Sequence, residues 1–239
     1  RQRQMCIRDR YTETRLQPEN GFAFDLAELE IPAGTTLAVI VNPNNPNGGT
    51  FDMAPLPSLL ERHPHTRFLV DEAFIGLAGQ TVAHLVPGHA NLLVTRTLSK
   101  AHSLAGFRVG YAILPEDLAD TLNSNNDAYP LARASQAAAL ATLQHADKIR
   151  ERACELRTWT EGLATELRAL GVRIFPSQTY FFLADFAPHD ATELATRLKD
   201  QGIFIKPLDD PILGPGFMRV TTALPDDNAR VVQALSELL

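Results

Sequence analysis

TLAVIVNPNNPNGG, residues 36–49, is an apolar run of strand length that ends in a turn built from Asn, Pro and Gly. Its apolar residues follow one another rather than alternate with polar ones, which predicts a strand buried on both faces, as in a sheet with helices above and below. Two further runs have the same form: RFLVD (67–71) ends on Asp71, and NLLVTRT (91–97) continues into Leu98, Ser99 and Lys100. A fourth, FRVGYAIL, spans residues 107–114. Between the first two, DMAPLPSLLERHP (52–64) predicts a helix that stops at His63, because a residue before proline avoids helical backbone. This alternation predicts an α/β sheet whose strands are parallel neighbours. Ligands bind outside the carboxyl ends of such strands, so Asn45, Asp71 and Lys100 are expected to face one cleft.

After residue 130 the texture changes. Helical patterns fill 132–145 and 147–170, the second closed by Gly171 as a C-terminal cap. Then come VRIFPS, TYFFLADF, a helix over 190–201, strands IFIKPL and FMRVTTA, and a helix from Pro225. Two strands between helices, repeated, is an α+β arrangement. The expected division is a large domain over 11–145 and a small C-terminal domain over 146–239, with the boundary near residue 145.

Composition narrows the function. A chain of 239 residues with 45% hydrophobic residues can bury one or two cores. Net charge −6 without a dense Lys/Arg tract argues against nucleic acid or an anionic membrane as partner, and no apolar stretch is long enough to span a bilayer. Cys6 and Cys154 show no metal or disulfide spacing and the seven histidines no shared ligand face, so no metal is expected and a cytoplasmic location is the default. RQRQMCIRDR (1–10) has neither helical nor strand period; its MCIRDR string resembles translated sequencing-adapter DNA, the alternative being a frayed natural N-terminus.

NPNNPNGGTFD (42–52), LVDEAFIGL (69–77) and TRTLSKAHSLAGFRVGYAI (95–113) together resemble the fold-type I pyridoxal-phosphate (PLP) aminotransferases. They are most similar to histidinol-phosphate aminotransferase and its relatives, and the likeness continues through FMRVTTALPDDN (217–228). The resemblance implies an aspartate aminotransferase-like α/β fold, with a partial, mostly parallel large-domain sheet and a small α+β domain. It implies PLP as cofactor, an amino donor and a 2-oxo acid as small-molecule substrates, and a homodimer.

It also assigns roles. Lys100 would carry the cofactor as a Schiff base and move the substrate proton. Asp71 would hold the pyridine nitrogen protonated, its bland alternative being a helix N-cap. Asn45 would hydrogen-bond the cofactor's 3-oxygen and meet the substrate, unless NPNG is only a ligand-free turn. Thr97, Ser99 and Arg108 would hold the phosphate, hydroxyls as donors and the guanidinium as a fork. Arg219 would grip the substrate carboxylate, the alternative being a surface-facing strand arginine.

Two departures stand out. Phe74 occupies the place where many relatives have a tyrosine, so a phenol donor to the 3-oxygen is missing, as in threonine-phosphate decarboxylases. The family's N-terminal segment, which supplies amides to the phosphate and a ring stacked on the pyridine, has no counterpart here, and an exposed sheet edge is expected. Three functions follow: transamination, decarboxylation of a phosphorylated amino acid, or an inactive fragment kept as a folding or interaction module.

Overall fold

The computed structural model describes residues 10–239 apart from Ala78, Ala128, Asp209 and Pro211; Cys6 and most of the segment set aside at the N-terminus lie outside the described residues. The first sheet has the order β1 (Leu37–Val41), β2 (Arg67–Asp71), β3 (Leu92–Thr97), β4 (Gly110–Ile113). β1, β2 and β3 are parallel, Val41 opposite Asp71 and Asp71 opposite Thr95, so their carboxyl ends finish at one level. β4 runs antiparallel to β3, because the chain between them, residues 98–109, holds bends and the 3-10 turn Ala105–Phe107 but no crossover helix.

One face of this sheet is covered. Ile40, Phe68, Val70, Leu92 and Val94 meet Leu56, Leu59 and Leu60 of α1 (Leu56–Arg62), Val82, and Val86 of the short 3-10 segment Ala83–Gly88 that follows it. α1 is shorter than its sequence pattern and stops at His63 as proline 64 requires. The opposite face differs from the expectation of burial on both sides: Leu37 is 51% and Val39 55% exposed, while Asp71 and Thr95 share this face. β1 and β4 are the two edges. α2 (Glu116–Ser124), which the sequence reading passes over, starts after Pro115 with Glu116 and Asp117 in its first turn, where carboxylates meet the positive end of the helix.

The second sheet, order β5 (Arg173–Ile174), β6 (Phe181–Asp185), β8 (Phe217–Thr221), β7 (Lys206–Pro207), is antiparallel throughout. α4 (Ala146–Ala169), α5 (Ala191–Asp200) and α6 (Pro225–Ser236) bury Leu163, Leu167, Leu194, Leu198 and Leu235 against Phe182, Ala184, Met218 and Val220. Leu167 and Leu198 are fully buried, and truncating either to alanine should cost about 2–5 kcal/mol. Gly171, at φ 88°, ends α4: its amide reaches the Arg168 carbonyl and the Val172 amide the Leu167 carbonyl, the paired bonds of a left-handed helix cap. Asp190 caps α5 by accepting from Thr192 and Glu193. On its other face this sheet turns Phe175, Leu183 and Phe217 toward Phe22, and Phe181 toward Phe74 of the first unit. α3 (Arg133–Leu143) packs against the 3-10 turn Ala105–Phe107 and α4, anchored where the Ser135 hydroxyl donates to the Phe107 carbonyl.

Candidate active site

Three chain segments leave the carboxyl ends of β1, β2 and β3 side by side, and each carries one of the expected polar residues. After β1, Asn42 is buried and accepts from the Phe51 amide, while Asn47 accepts from the Asn44 amide group and from Gly49. These bonds tie the turn to itself and leave Asn45 on its exposed rim. Gly48 sits at φ 75°, and a Cβ there would lie 2.0 Å from Ser177 Oγ. The Gly48 carbonyl accepts from the Gln178 amide at 2.8 Å, so the turn is clasped to the strand entry of the second sheet.

That clasp sets a contact spanning the two sheets. Arg219 on β8 lies opposite Leu183, with Met218 and Val220 on either side fully buried on the helical face. Its guanidinium is turned to the other face, donates to Asn45 Oδ1 at 3.1 Å, and lies 5.3 Å from the Phe181 ring centroid. Its Nε is buried without a partner among the described residues. A buried donor without an acceptor is costly, and the group it suits is an anion able to take a guanidinium edge.

Asp71 ends β2. Its Oδ1 accepts from the Ala73 amide at 3.0 Å and lies 3.4 Å from the Thr95 hydroxyl, while Oδ2 makes no hydrogen bond among the described residues. No helix begins here, so Asp71 steadies a turn with one oxygen rather than capping a helix. The turn continues to Phe74, buried edge-on to Phe181 at 5.1 Å and Tyr180 at 6.1 Å. Lys100 Nζ lies 5.4 Å over the Phe74 ring and forms no ion pair among the described residues. The aromatic group Phe74, Tyr180 and Phe181 thus separates Lys100 from Arg219, one cation at each end.

After β3, Thr97 and Ser99 bring their hydroxyls to 2.8 Å, and the Ser99 amide donates to Thr97 Oγ1 at 3.0 Å. The Leu98 amide bonds the Val109 carbonyl, which draws Arg108 beside this pair. Arg108 adopts left-handed backbone at φ 55°, and its guanidinium donates to the Ala105 carbonyl rather than to Thr97 or Ser99. Gly76 lets this turn approach the one after β2, since a Cβ there would meet Ala101 Cβ at 2.8 Å.

Sequence reasoning passed over three groups here. Glu72, one residue past Asp71, is buried and paired with Arg96; burial opposes the Arg96 charge, but Tyr111 and Glu72 outweigh it and raise its pKa. Tyr180 is half-buried, and burial raises its phenol pKa although Arg219 pulls the other way. His102, one of the histidines without a shared ligand face, has a buried Nδ1 without a partner among the described residues, and burial lowers its pKa. The signals were weak: a charge following a charge, one aromatic among several, and a histidine in a polar turn.

The donor set suits a ligand with a carbonyl for an amine, a ring nitrogen for a carboxylate and a phosphate for paired hydroxyls, which are the functional groups of PLP. Among the described residues there is no cluster of metal-ligating side chains, and no helix is long and apolar enough to cross a membrane.

Comparison with known proteins gives the same direction. Histidinol-phosphate aminotransferase of Acinetobacter baumannii is 32% identical over 230 residues, which is 95% of this chain and 63% of the relative. The chain therefore spans somewhat under two thirds of that relative's length. Among solved structures, L-threonine-O-3-phosphate decarboxylase from Porphyromonas gingivalis superposes with TM-score 0.80 and 25% identity, covering 90% of this chain and 67% of the other. Histidinol-phosphate aminotransferase from Sinorhizobium meliloti, solved in complex with pyridoxal-5'-phosphate, gives TM-score 0.77 and 26% identity, covering 84% and 57%. The aspartate aminotransferase-like fold expected from the motifs is the fold observed. The model of the aminotransferase class I and II family matches residues 8–235, further toward the N-terminus than the motifs alone carried the likeness, and the chain belongs to that family.

Proposed function

We propose that this protein is a PLP-dependent aminotransferase acting on an amino acid or amino alcohol phosphate with a 2-oxo acid, of the histidinol-phosphate aminotransferase type. The observation that carries the reading is Arg219: a guanidinium from the second sheet reaching Asn45 of the first, with its Nε buried and unpaired beside an aromatic wall that ends at Lys100. An anion-binding group at one end of the wall and an amine at the other suit a substrate carrying both a carboxylate or phosphate and a reacting amino carbon.

PLP when bound supplies an electron sink for the carbanion that proton loss creates. The roles proposed for the chain are these. Lys100 would hold the cofactor through its carbonyl carbon with loss of water, and once displaced by the substrate amine it would, as a free amine, move the proton at the substrate α-carbon. Asp71 offers Oδ2 to the ring nitrogen and keeps a proton there, because a nearby carboxylate favours the charged form. Asn45 donates to the 3-oxygen with its amide nitrogen, its Oδ1 being engaged by Arg219. Thr97 and Ser99 donate to the phosphate, and Arg108 joins them by a rotation of its exposed guanidinium away from Ala105. Arg219 orients the substrate by its anionic group.

Decarboxylation of a phosphorylated amino acid is the second reading, favoured by Phe74 and by the likeness to the Porphyromonas gingivalis enzyme. We further propose a large domain over 11–145 and a small one over 146–239, since β1–β4 precede α4 and β5–β8 follow its start. A homodimer in the cytoplasm completes the proposal. The test is to incubate the PLP-loaded protein with α-deuterated histidinol phosphate and, separately, threonine phosphate, with 2-oxoglutarate present. Loss of the α-deuterium with formation of glutamate supports transamination; CO₂ release without glutamate supports decarboxylation and overturns it.

A further inference from the structure

We infer that Glu72 and Arg96 form a positioning clamp for the cofactor site, holding the carboxyl ends of β2 and β3 so that Asp71 faces the ring nitrogen. The inference rests on the PLP reading above and concerns residues that reading does not use.

Successive residues of a strand point to opposite sides. Asp71 and Thr95 lie on the cleft side, their side chains 3.4 Å apart, whereas Glu72 and Arg96 go to the other side. There the Glu72 side chain is 1% exposed and saturated: Oε2 accepts from Arg96 Nε at 2.8 Å and from the Thr81 hydroxyl at 2.9 Å, and Oε1 accepts from the Val82 amide at 2.8 Å. The Glu72 amide continues the ladder to the Thr95 carbonyl at 2.9 Å, and its carbonyl accepts from Ile75 at 3.1 Å. Arg96 also contacts the Thr81 hydroxyl and, across to β4, Tyr111, its register partner. One buried carboxylate therefore joins β2, β3 and the chain leading into the 3-10 segment Ala83–Gly88.

The clamp fixes the residues on either side of it. Asp71 precedes Glu72, and Thr97 follows Arg96, so a shift of either clamped residue moves a cofactor-facing one. Among the described residues Asp71 itself has only the Ala73 amide and the distant Thr95 hydroxyl to set its rotamer, too little to define a carboxylate within the tolerance a preorganised site needs. A buried carboxylate with three donors, one of them a guanidinium, is rigid, and removing Arg96 leaves Glu72 buried and uncompensated.

The test compares purified wild-type protein with Glu72→Gln, which keeps shape and acceptor but removes charge, and with Arg96→Lys, which keeps charge but removes the Nε contact. Four quantities are read: PLP affinity, the pH midpoint of the visible band of bound PLP, the unfolding midpoint, and hydrogen exchange of the Ala73 amide in cofactor-free protein. A displaced Asp71 no longer holds the ring nitrogen protonated, and loss of that positive charge lets the Lys100 nitrogen keep its proton to higher pH. The expected result for both variants is PLP binding weaker by about tenfold or more, a band midpoint raised by about half a unit or more, and Ala73 exchange faster by about tenfold. A lowered unfolding midpoint with wild-type PLP affinity, band midpoint and Ala73 exchange would reduce the pair to a fold-stabilising one and overturn the inference. Should Glu72→Gln fail to fold, Arg96→Lys decides alone. A wild-type protein that takes up no PLP overturns the functional reading, and the Ala73 exchange in the cofactor-free variants then still decides whether the clamp exists.

Discussion

Replacing Gly48 by alanine should unlock the two sheets from each other at the site. Gly48 sits at φ 75°, where a Cβ meets the following carbonyl and costs about 1–2 kcal/mol. In addition, the new Cβ would fall 2.0 Å from Ser177 Oγ and 2.8 Å from both Ser177 Cβ and Thr179 Oγ1. Thr179 is 1% exposed and its hydroxyl is held by the Phe181 carbonyl at 2.9 Å, so it cannot yield without losing that bond. Forced overpacking of this kind costs about 1–3 kcal/mol, giving a total of about 2–5 kcal/mol against a domain stability of about 5–15 kcal/mol. Relaxation by separation would break the bond from Gln178 to the Gly48 carbonyl and draw Asn45 away from Arg219. Urea unfolding of Gly48→Ala, Ser177→Gly and the double variant is the assay. The part of the clash that falls on Ser177 should be recovered in the double variant, which should be less destabilised than the sum of the singles by about 1 kcal/mol or more, while the contact with Thr179 and the backbone part should persist. A Gly48→Ala protein within about 0.5 kcal/mol of wild type would refute the close approach and with it the seating of Asn45.

Asp71→Asn should retain cofactor but lose roughly two or more decades of turnover, since an amide cannot hold a proton on the ring nitrogen; wild-type kcat would leave Asp71 as a turn residue only. Phe74→Tyr should lower the pH midpoint of the visible band of bound PLP by up to about a unit, because a phenol near the 3-oxygen stabilises its ionised form, and an unchanged or raised midpoint would show that residue 74 does not face that oxygen. Tyr180 is half-buried and burial holds its pKa above the ordinary phenol value of 10.0, so the folded state favours the protonated form; the stability this contributes is present below pH 10.0 and is lost as pH rises through the folded value. Tyr180→Phe should therefore flatten the alkaline limb of the unfolding midpoint against pH, and an identical limb would place the ionisation elsewhere.

The parts of this fold that were legible in the sequence are those where one physical signal dominates. β2 begins and ends where RFLVD does, because an uninterrupted apolar run bounded by polar residues has few alternatives to a buried strand. Gly171 and Asp190 mark helix ends, since a left-handed cap and a side-chain acceptor are local chemistry. The direction of β4 and the presence of α2 depend instead on how a connection closes in space, which a run of residues does not report. Lys100, Asp71 and Asn45 could be singled out because they end three neighbouring strands, whereas the bond from Arg219 to Asn45 joins residues 174 positions apart and no window contains it. Glu72 was hidden for a related reason: its role is defined by Arg96, Thr81 and Val82, which come together only in the folded chain. Leu37 and Val39 run the other way, for their apolar character predicts burial and they stand half exposed.

Borohydride reduction of the protein incubated with PLP, followed by peptide mapping, tests the assignment of this site most directly. Lys100 is the lysine that stands half-buried over the Phe74 ring at the end of β3, beside the Thr97 and Ser99 hydroxyls that would take the phosphate. The expected result is a single reduced adduct on the peptide containing Lys100, abolished in Lys100→Ala. An adduct on Lys148, Lys199 or Lys206, or one spread over several lysines in proportion to their exposure, would contradict it.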